Sequence, residues 1–165
     1  TLVINSCPRL ASLPSSIGNL TKLQNLMIND CEELDLSKVR GIQGLRIQTV
    51  VIGELSKLKA LPRWLYGPAT SINYLRIVCC PNLVKLPYWP ENSTSLQKLE
   101  ILECTKLSVL PQGFDHLTAL KELRIVECND KLIRRCQPET GEDWHMIAHV
   151  PEIYLNKTKI TSTHY

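Results

Sequence analysis

The stretch Leu75-Arg76-Ile77-Val78-Cys79-Cys80-Pro81-Asn82-Leu83-Val84-Lys85-Leu86-Pro87 decides how the chain is read, because its spacing returns along the whole sequence. With Ile77 as a marker, Ile4, Ile28, Ile52, Ile77, Ile101 and Ile125 follow one another at intervals of 24, 24, 25, 24 and 24 residues. Two positions before each marker stand Leu2, Leu26, Val50, Leu75, Leu99 and Leu123, and three positions further back stand Leu23, Ile47, Ile72, Leu96 and Leu120. Six positions after come Leu10, Leu34, Leu58, Leu83 and Leu107. Nine after come Leu13, Leu61, Leu86 and Leu110, each followed by a proline.

Six copies of L-x-x-L-x-I-x-x-C-x-x-L-x-x-L-P make a leucine-rich repeat. One rung cannot bury its own leucines, whereas stacked rungs form a continuous core with a parallel sheet along one side. The fold class that follows is an α/β solenoid, a horseshoe with one parallel sheet on the concave face and irregular convex loops. At ~4.8 Å per strand, six rungs span roughly 25–30 Å. Copy two departs at Asp35-Leu36-Ser37-Lys38, Gly41 and Gly44, and copy four at Tyr88-Trp89-Pro90-Glu91-Asn92-Ser93-Thr94. Both are expected to be irregular convex loops.

The cysteines sort by the same register. Cys7, Cys31, Cys80, Cys104 and Cys128 stand three residues after their markers, with Leu55 in the slot of copy three. They are expected to stack inside the turn as compact hydrophobes, each able to donate weakly to a backbone carbonyl. C-x-x-C pairs of the zinc type do not occur, so no metal is expected. Seven cysteines and a thiol ladder suit a reducing compartment better than disulfides between rungs. Cys79 is off the ladder, with Arg76 and Lys85 expected near it, and Cys136 lies past the last repeat.

At 165 residues and 44% hydrophobic, the chain has enough apolar surface for one core, and one domain is the default. A net charge of +3 is too mild to argue for nucleic acid or a membrane surface. No apolar run approaches the ~20 residues of a membrane span, and no signal-type segment opens the chain. It does not begin with Met, and Leu2-Val3-Ile4 reads as the middle of a strand, as in a piece of a longer protein with an aggregation-prone bare edge. G-x-S-x-G, H-E-x-x-H, G-x-x-x-x-G-K-[ST] and G-x-G-x-x-G are all missing, so no enzymatic activity is expected. Asn19, Asn92 and Asn156 open N-x-[ST] sequences, which would matter in a secreted protein.

The organisation expected is leucine-rich repeats over 1–136, a C-terminal cap over 137–155 and a flexible tail over 156–165. Lys131, Arg134 and Arg135 read as a solvated basic edge. Pro138 to His149 reads as a short helix with Thr140 and Asp143 resembling a capping box, stopped by Val150-Pro151. Trp144, Ile147 and Ala148 share the face that would cover the last rung, and Glu152 to Leu155 reads as a final strand. His145 and His149 stand one helical turn apart, read as a solvated face for want of a third ligand.

What remains is the concave surface. Alternation turns a central column outward: Val3, Met27, Val51, Arg76, Glu100 and Arg124, apolar at one end and alternately charged at the other. Asp30, Glu54, Glu103 and Glu127 make an acidic row beside it. Alternating charges can simply pair across rungs. The functional reading is a protein-docking face formed by Met27, Asn29, Val51, Tyr74, Arg76, Lys98, Glu100, Glu122 and Arg124, with Tyr74 and Arg76 as interface-type anchors.

The run from Leu96 through Ile101, Cys104, Leu107, Leu110-Pro111, Phe114 and Leu117 to Leu120 resembles the C-terminal repeats of plant nucleotide-binding leucine-rich-repeat (NLR) disease resistance proteins. The tail Thr140-Gly141-Glu142-Asp143-Trp144-His145-Met146-Ile147-Ala148-His149-Val150-Pro151-Glu152-Ile153-Tyr154 resembles the ending of their coiled-coil class, with His145 where proline is common. The resemblance implies a sensor of innate immunity that recognises a pathogen effector protein, directly or through a guarded host protein. It also implies autoinhibition, through contact with a nucleotide-binding switch that exchanges ADP for ATP. That switch and its phosphate loop are missing here, so no cofactor is expected. The location implied is cytoplasmic, with the nucleus as a second site. Two alternatives stay open: a secreted receptor ectodomain, whose plant versions carry asparagine in the ladder slot, and the substrate-recruiting repeats of a ubiquitin ligase.

Overall fold

The computed structural model describes residues 1–66, 70–91 and 93–160. Six strands carry the repeat markers: β1 (Leu2–Asn5), β2 (Asn25–Asn29), β3 (Thr49–Gly53), β4 (Tyr74–Val78), β5 (Lys98–Leu102) and β6 (Glu122–Val126). A seventh, β7 (Glu152–Leu155), adds to them, and β8 (Thr158–Ile160) closes the sheet. The strands pair in sequence order, all parallel up to β7, with β8 antiparallel to β7. Register is set by the buried face, because a slip of one residue would turn every leucine to solvent. Leu2, Leu26, Val50, Leu75, Leu99, Leu123 and Ile153 therefore form one inward row. Ile4, Ile28, Ile52, Ile77, Ile101, Ile125 and Leu155 form the other. The single 25-residue step lies between β3 and β4 and is absorbed in the return, leaving the register unshifted.

Both inward rows are closed to water in the middle of the stack: Leu26, Ile28, Val50, Ile52, Ile77, Leu99 and Ile101 are all 0% exposed. Each such aliphatic contributes ~1.5–3 kcal/mol on burial, which is why stacking and not propensity holds the rungs. The convex returns of copies one, two, three and five contain short 3₁₀ turns. Pro14 and Pro62, with φ of −67° and −71°, lead into Ser15–Asn19 and Arg63–Leu65, so in copies one and three Leu-Pro fixes the angle that starts the turn, whereas in copy five Gly113 precedes Phe114–His116. Copy two lacks that proline. There Asp35 accepts from the Ser37 backbone N–H at 3.0 Å and starts the turn Leu36–Lys38 instead. Copy four fills its gap with Trp89, 3% exposed and edge-on to Phe114 at 5.5 Å between ring centres. This loop therefore supplies core, where sequence reading saw only an irregular return.

Four ladder thiols, Cys31, Cys80, Cys104 and Cys128, are buried as expected, while Cys7 at the open end is half-buried. Cys7, Cys31, Cys80, Cys104 and Cys128 each donate to the carbonyl two residues back, at 3.4, 3.3, 3.5, 3.5 and 3.5 Å. Burial pushes the Cys80 thiol up to about 11 and those of Cys104 and Cys136 to about 12, so all three stay protonated. All seven cysteines are free.

The far end differs from its expected form. Where the repeat stops, Asp130–Arg135 is a helix, α1, capped by Asn129, whose side chain accepts from the Lys131 N–H at 2.9 Å. The helix expected over Pro138 to His149 is confined to α2 (Trp144–Ile147). Thr140 and Asp143 form no capping box, since Asp143 is drawn elsewhere. Its carboxylate, 1% exposed, takes Arg135 Nε at 3.0 Å and Arg135 Nη2 at 2.6 Å, and accepts the Leu110 N–H at 3.0 Å. Arg135 thus ties α1 to the segment before α2, where Asp143 in turn holds copy five at Leu110, and Arg135 is no part of a solvated basic edge. Met146, Ile147, Val150, Ile153 and Leu155 seal the core beneath. The tail expected to be loose from Asn156 onward instead turns back at Asn156 into β8; residues 161–165 lie outside the described residues.

Candidate functional site

In-register pairing places Val3, Met27, Val51, Arg76, Glu100, Arg124 and Tyr154 side by side down the middle of the sheet's open face. Neighbouring rungs are ~4.8 Å apart, close enough for each side chain to touch the next. Two halves result. Across β1 to β3 the face carries Val3, Met27 and Val51 between Asn25, Thr49, Asn5 and Asn29, with Val3 59% and Met27 38% exposed. From β4 onward it is charged and aromatic.

Glu100 is the hub of the charged half. Its side chain is 7% exposed, because its neighbours fold over it. One oxygen accepts from Tyr74 Oη at 2.8 Å and faces Arg76 Nη1 at 3.4 Å. The other faces Lys98 Nζ at 3.1 Å and Arg124 Nε at 3.5 Å. Glu122 bridges the same Lys98 and Arg124, at 3.3 and 2.5 Å. Burial works against the Glu122 charge, yet hydrogen bonds from Arg124 and Lys98 outweigh it and hold its carboxyl below the usual range. Burial and the bond to Glu100 raise Tyr74, keeping its hydroxyl a donor. Three cation–π contacts complete the layer: Lys98 over Tyr74 at 5.2 Å, and Arg124 and Lys159 over Tyr154 at 4.0 and 5.5 Å.

In the neutral half, Asn29 donates to Asn5 Oδ1 at 3.1 Å and to Glu54 Oε1 at 3.3 Å. It reaches Glu54 across Gly53, its strand partner, where a side chain would occupy the place of the Asn29 amide. Gly53 is therefore the residue that lets the asparagine bridge three rungs.

The acidic row has a backbone cause. Ser6, Asp30, Glu54, Cys79, Glu103, Glu127 and Asn156 all adopt left-handed backbone, with φ between 50° and 56°. This conformation costs ~1–3 kcal/mol for a non-glycine residue, and it turns the chain from strand to ladder. The cost is met by a bond repeated along the stack: Ser6, Asp30, Glu54, Cys79 and Glu103 each donate their N–H to the next rung's last strand carbonyl, at 2.8–3.2 Å. Cys79 lies among these acids and donates to Glu103 Oε2 at 3.3 Å. The cations expected beside it do not set its chemistry. Burial first, then Glu103, Glu54 and Glu127, raise its pKa and make it a poor nucleophile.

Of the expected docking residues, Met27, Asn29, Val51, Tyr74, Arg76, Lys98, Glu100, Glu122 and Arg124 all come together on one face. Glu100 differs in kind, since it lies beneath the others and orients them. Sequence reading missed Tyr154, which extends the column, and the alternation Glu152-Ile153-Tyr154-Leu155 carried the signal. His145 is exposed, and His149 Nε2 lies 3.2 Å from the Leu117 carbonyl. No group of three metal-binding side chains occurs among the described residues, and no helix there is long and apolar enough to cross a membrane. Asn19 is exposed at the end of a 3₁₀ turn, Asn156 Oδ1 accepts from the Glu127 N–H, and Asn92 lies outside the described residues.

No family model matches the chain. Among solved structures, a leucine-rich-repeat protein of Leptospira interrogans aligns with 94% of this chain at a TM-score of 0.60 and 21% identity. The chain spans 42% of the length of that protein. With the register above, this establishes a leucine-rich-repeat fold.

Proposed function

We propose that the chain is the recognition region of a plant NLR disease resistance protein of the coiled-coil class, and that its concave face docks a pathogen effector or a guarded host protein. On this reading it is a non-enzymatic binding module that needs no cofactor, and it works in the cytoplasm, with the nucleus as a second site. Contact with a nucleotide-binding domain on the same polypeptide restrains the switch until the partner binds. The resemblance of Thr140 to Tyr154 to the ending of these receptors supports the placement in that class. The unbridged thiol ladder suits a reducing compartment.

The observation that carries docking is a face whose exposed side chains are already held in place. Arg76 is 41% and Arg124 37% exposed, yet both are oriented by a carboxylate that is itself covered. Side chains ordered before binding lose less freedom on association, and Arg and Tyr are the types that anchor interfaces. The test is a leaf cell-death assay of the intact receptor carrying Arg76→Glu or Arg124→Glu. Altered effector response or autoactivity is expected, with protein levels unchanged. Responses indistinguishable from wild type for both would remove this face from recognition.

A further inference from the structure

The two halves of the face meet at Arg76, and the charges there do not cancel. Arg76, Lys98 and Arg124 share only Glu100 and Glu122. Lys98 and Arg124 each face both carboxylates, whereas Arg76 pairs with Glu100 alone among the described residues, at 3.4 Å. Further along, Lys159 and Glu152 pair with each other at 3.6 Å and add no net charge. A half-exposed guanidinium with five donors and one shared carboxylate keeps an open fork suited to a second carboxylate. On its other side the column continues as Val51, Met27 and Val3, which offer no polar atom beyond the backbone. Met27 lies two rungs from Arg76, about 10 Å.

Building on the docking reading above, we propose that the segment recognised is an acidic-apolar one. It sets a large apolar side chain on Val3, Met27 and Val51 and a carboxylate on Arg76, the two groups about 10 Å apart, or three residues along an extended strand. The acidic row fixes where that carboxylate can sit. Asp30, Glu54, Glu103 and Glu127 have no cation in salt-bridge range among the described residues, so a carboxylate displaced towards this margin is repelled. Apolar contact gives affinity, and the paired attraction and repulsion give register.

The experiment pans a phage library of random dodecapeptides on the immobilised chain and reads the consensus. It then measures retention of the enriched peptides on Arg76→Gln, Arg76→Glu and Met27→Arg, each checked for an unchanged melting midpoint. The expected consensus pairs an acidic residue with a large apolar one about three positions away. Retention should drop at least tenfold on Arg76→Gln and Met27→Arg. If Arg76→Glu unfolds by repelling Glu100, the neutral Arg76→Gln still decides the matter. Loss on Met27→Arg but not on Arg76→Gln, or a consensus without acids, overturns the charge inference and leaves docking on this face standing. Peptides retained equally by all variants, or no enrichment at all, overturn both.

Discussion

The two ends of the solenoid carry the same core letters and bury them differently. Leu2, Ile4, Cys7 and Leu10 open the stack and are only partly buried. Leu123 and Ile125, their counterparts in β6, are 0% exposed, and Cys128 is 9% exposed. Identical residues at identical register thus differ because of what lies beyond them. β6 is covered by β7, with α1, α2 and the Asp143 clamp closing the same end, while β1 has a neighbour on one side only. In a stack of this kind, burial belongs to the neighbouring rung, so stability is a sum over interfaces rather than over residues.

The sealed end should therefore be the most sensitive place to cut. Asp143→Ala would leave Arg135, a half-buried side chain, with only the exposed Glu142 as partner, and the Leu110 N–H without an acceptor. Losing two hydrogen bonds between charged groups, at ~1.5–3 kcal/mol each, and stranding the Leu110 N–H costs roughly 3–5 kcal/mol, measurable as a fall in the urea midpoint. A loss below ~1 kcal/mol would mean that water replaces the carboxylate. Next comes the middle of the stack, where Leu99→Ala should cost ~2–5 kcal/mol by opening a cavity between rungs. The same change at Leu2, which has a rung on one side only, should cost under ~1 kcal/mol, as for other surface sites. Equal losses at Leu99 and Leu2 would erase the distinction between the ends.

A smaller effect separates the charged half of the face from the neutral one. Glu122 has a lowered pKa in the fold, so its stabilisation is present above its unfolded value and disappears as pH falls through the folded one. Thermal melts should therefore decline below about pH 4, near the unfolded carboxylate range. Glu122→Gln should flatten that limb of the curve, whereas Asn25→Asp in the neutral half should not. An acid limb unchanged by Glu122→Gln would assign the decline to other carboxylates.

Much of this arrangement was legible in the order of residues. A period held for six copies leaves one register in which every Leu and Ile is inside, and the cysteine slot follows from it. The central column was legible by alternation alone. Glu100 was placed on the right face but at the wrong depth: period says which way a side chain leaves the backbone, and the long side chains of Tyr74, Arg76, Lys98 and Arg124 decide whether water still reaches it. α1 escaped notice because Asp130–Arg135 is too short to show helical periodicity, although Asn129 is a good cap. Asp143 was read as part of a local box, while its partners Arg135 and Leu110 lie 8 and 33 residues away, beyond the reach of any local pattern. The β8 strand rests on a turn at Asn156 that uses the same left-handed backbone as the six repeats before it.

The most direct test is thiol accessibility in the native chain, read residue by residue by mass spectrometry after reaction with a small maleimide at neutral pH. Of the two half-buried thiols, Cys7 should react first, and Cys79 more slowly because burial and its acidic neighbours keep it protonated. Cys31, Cys80, Cys104, Cys128 and Cys136 should stay unlabelled until urea unfolds the stack, and then react together. Prompt labelling of Cys80 and Cys104 in the folded chain, or their protection by zinc rather than by folding, would contradict a core built from residues recurring at a fixed stride.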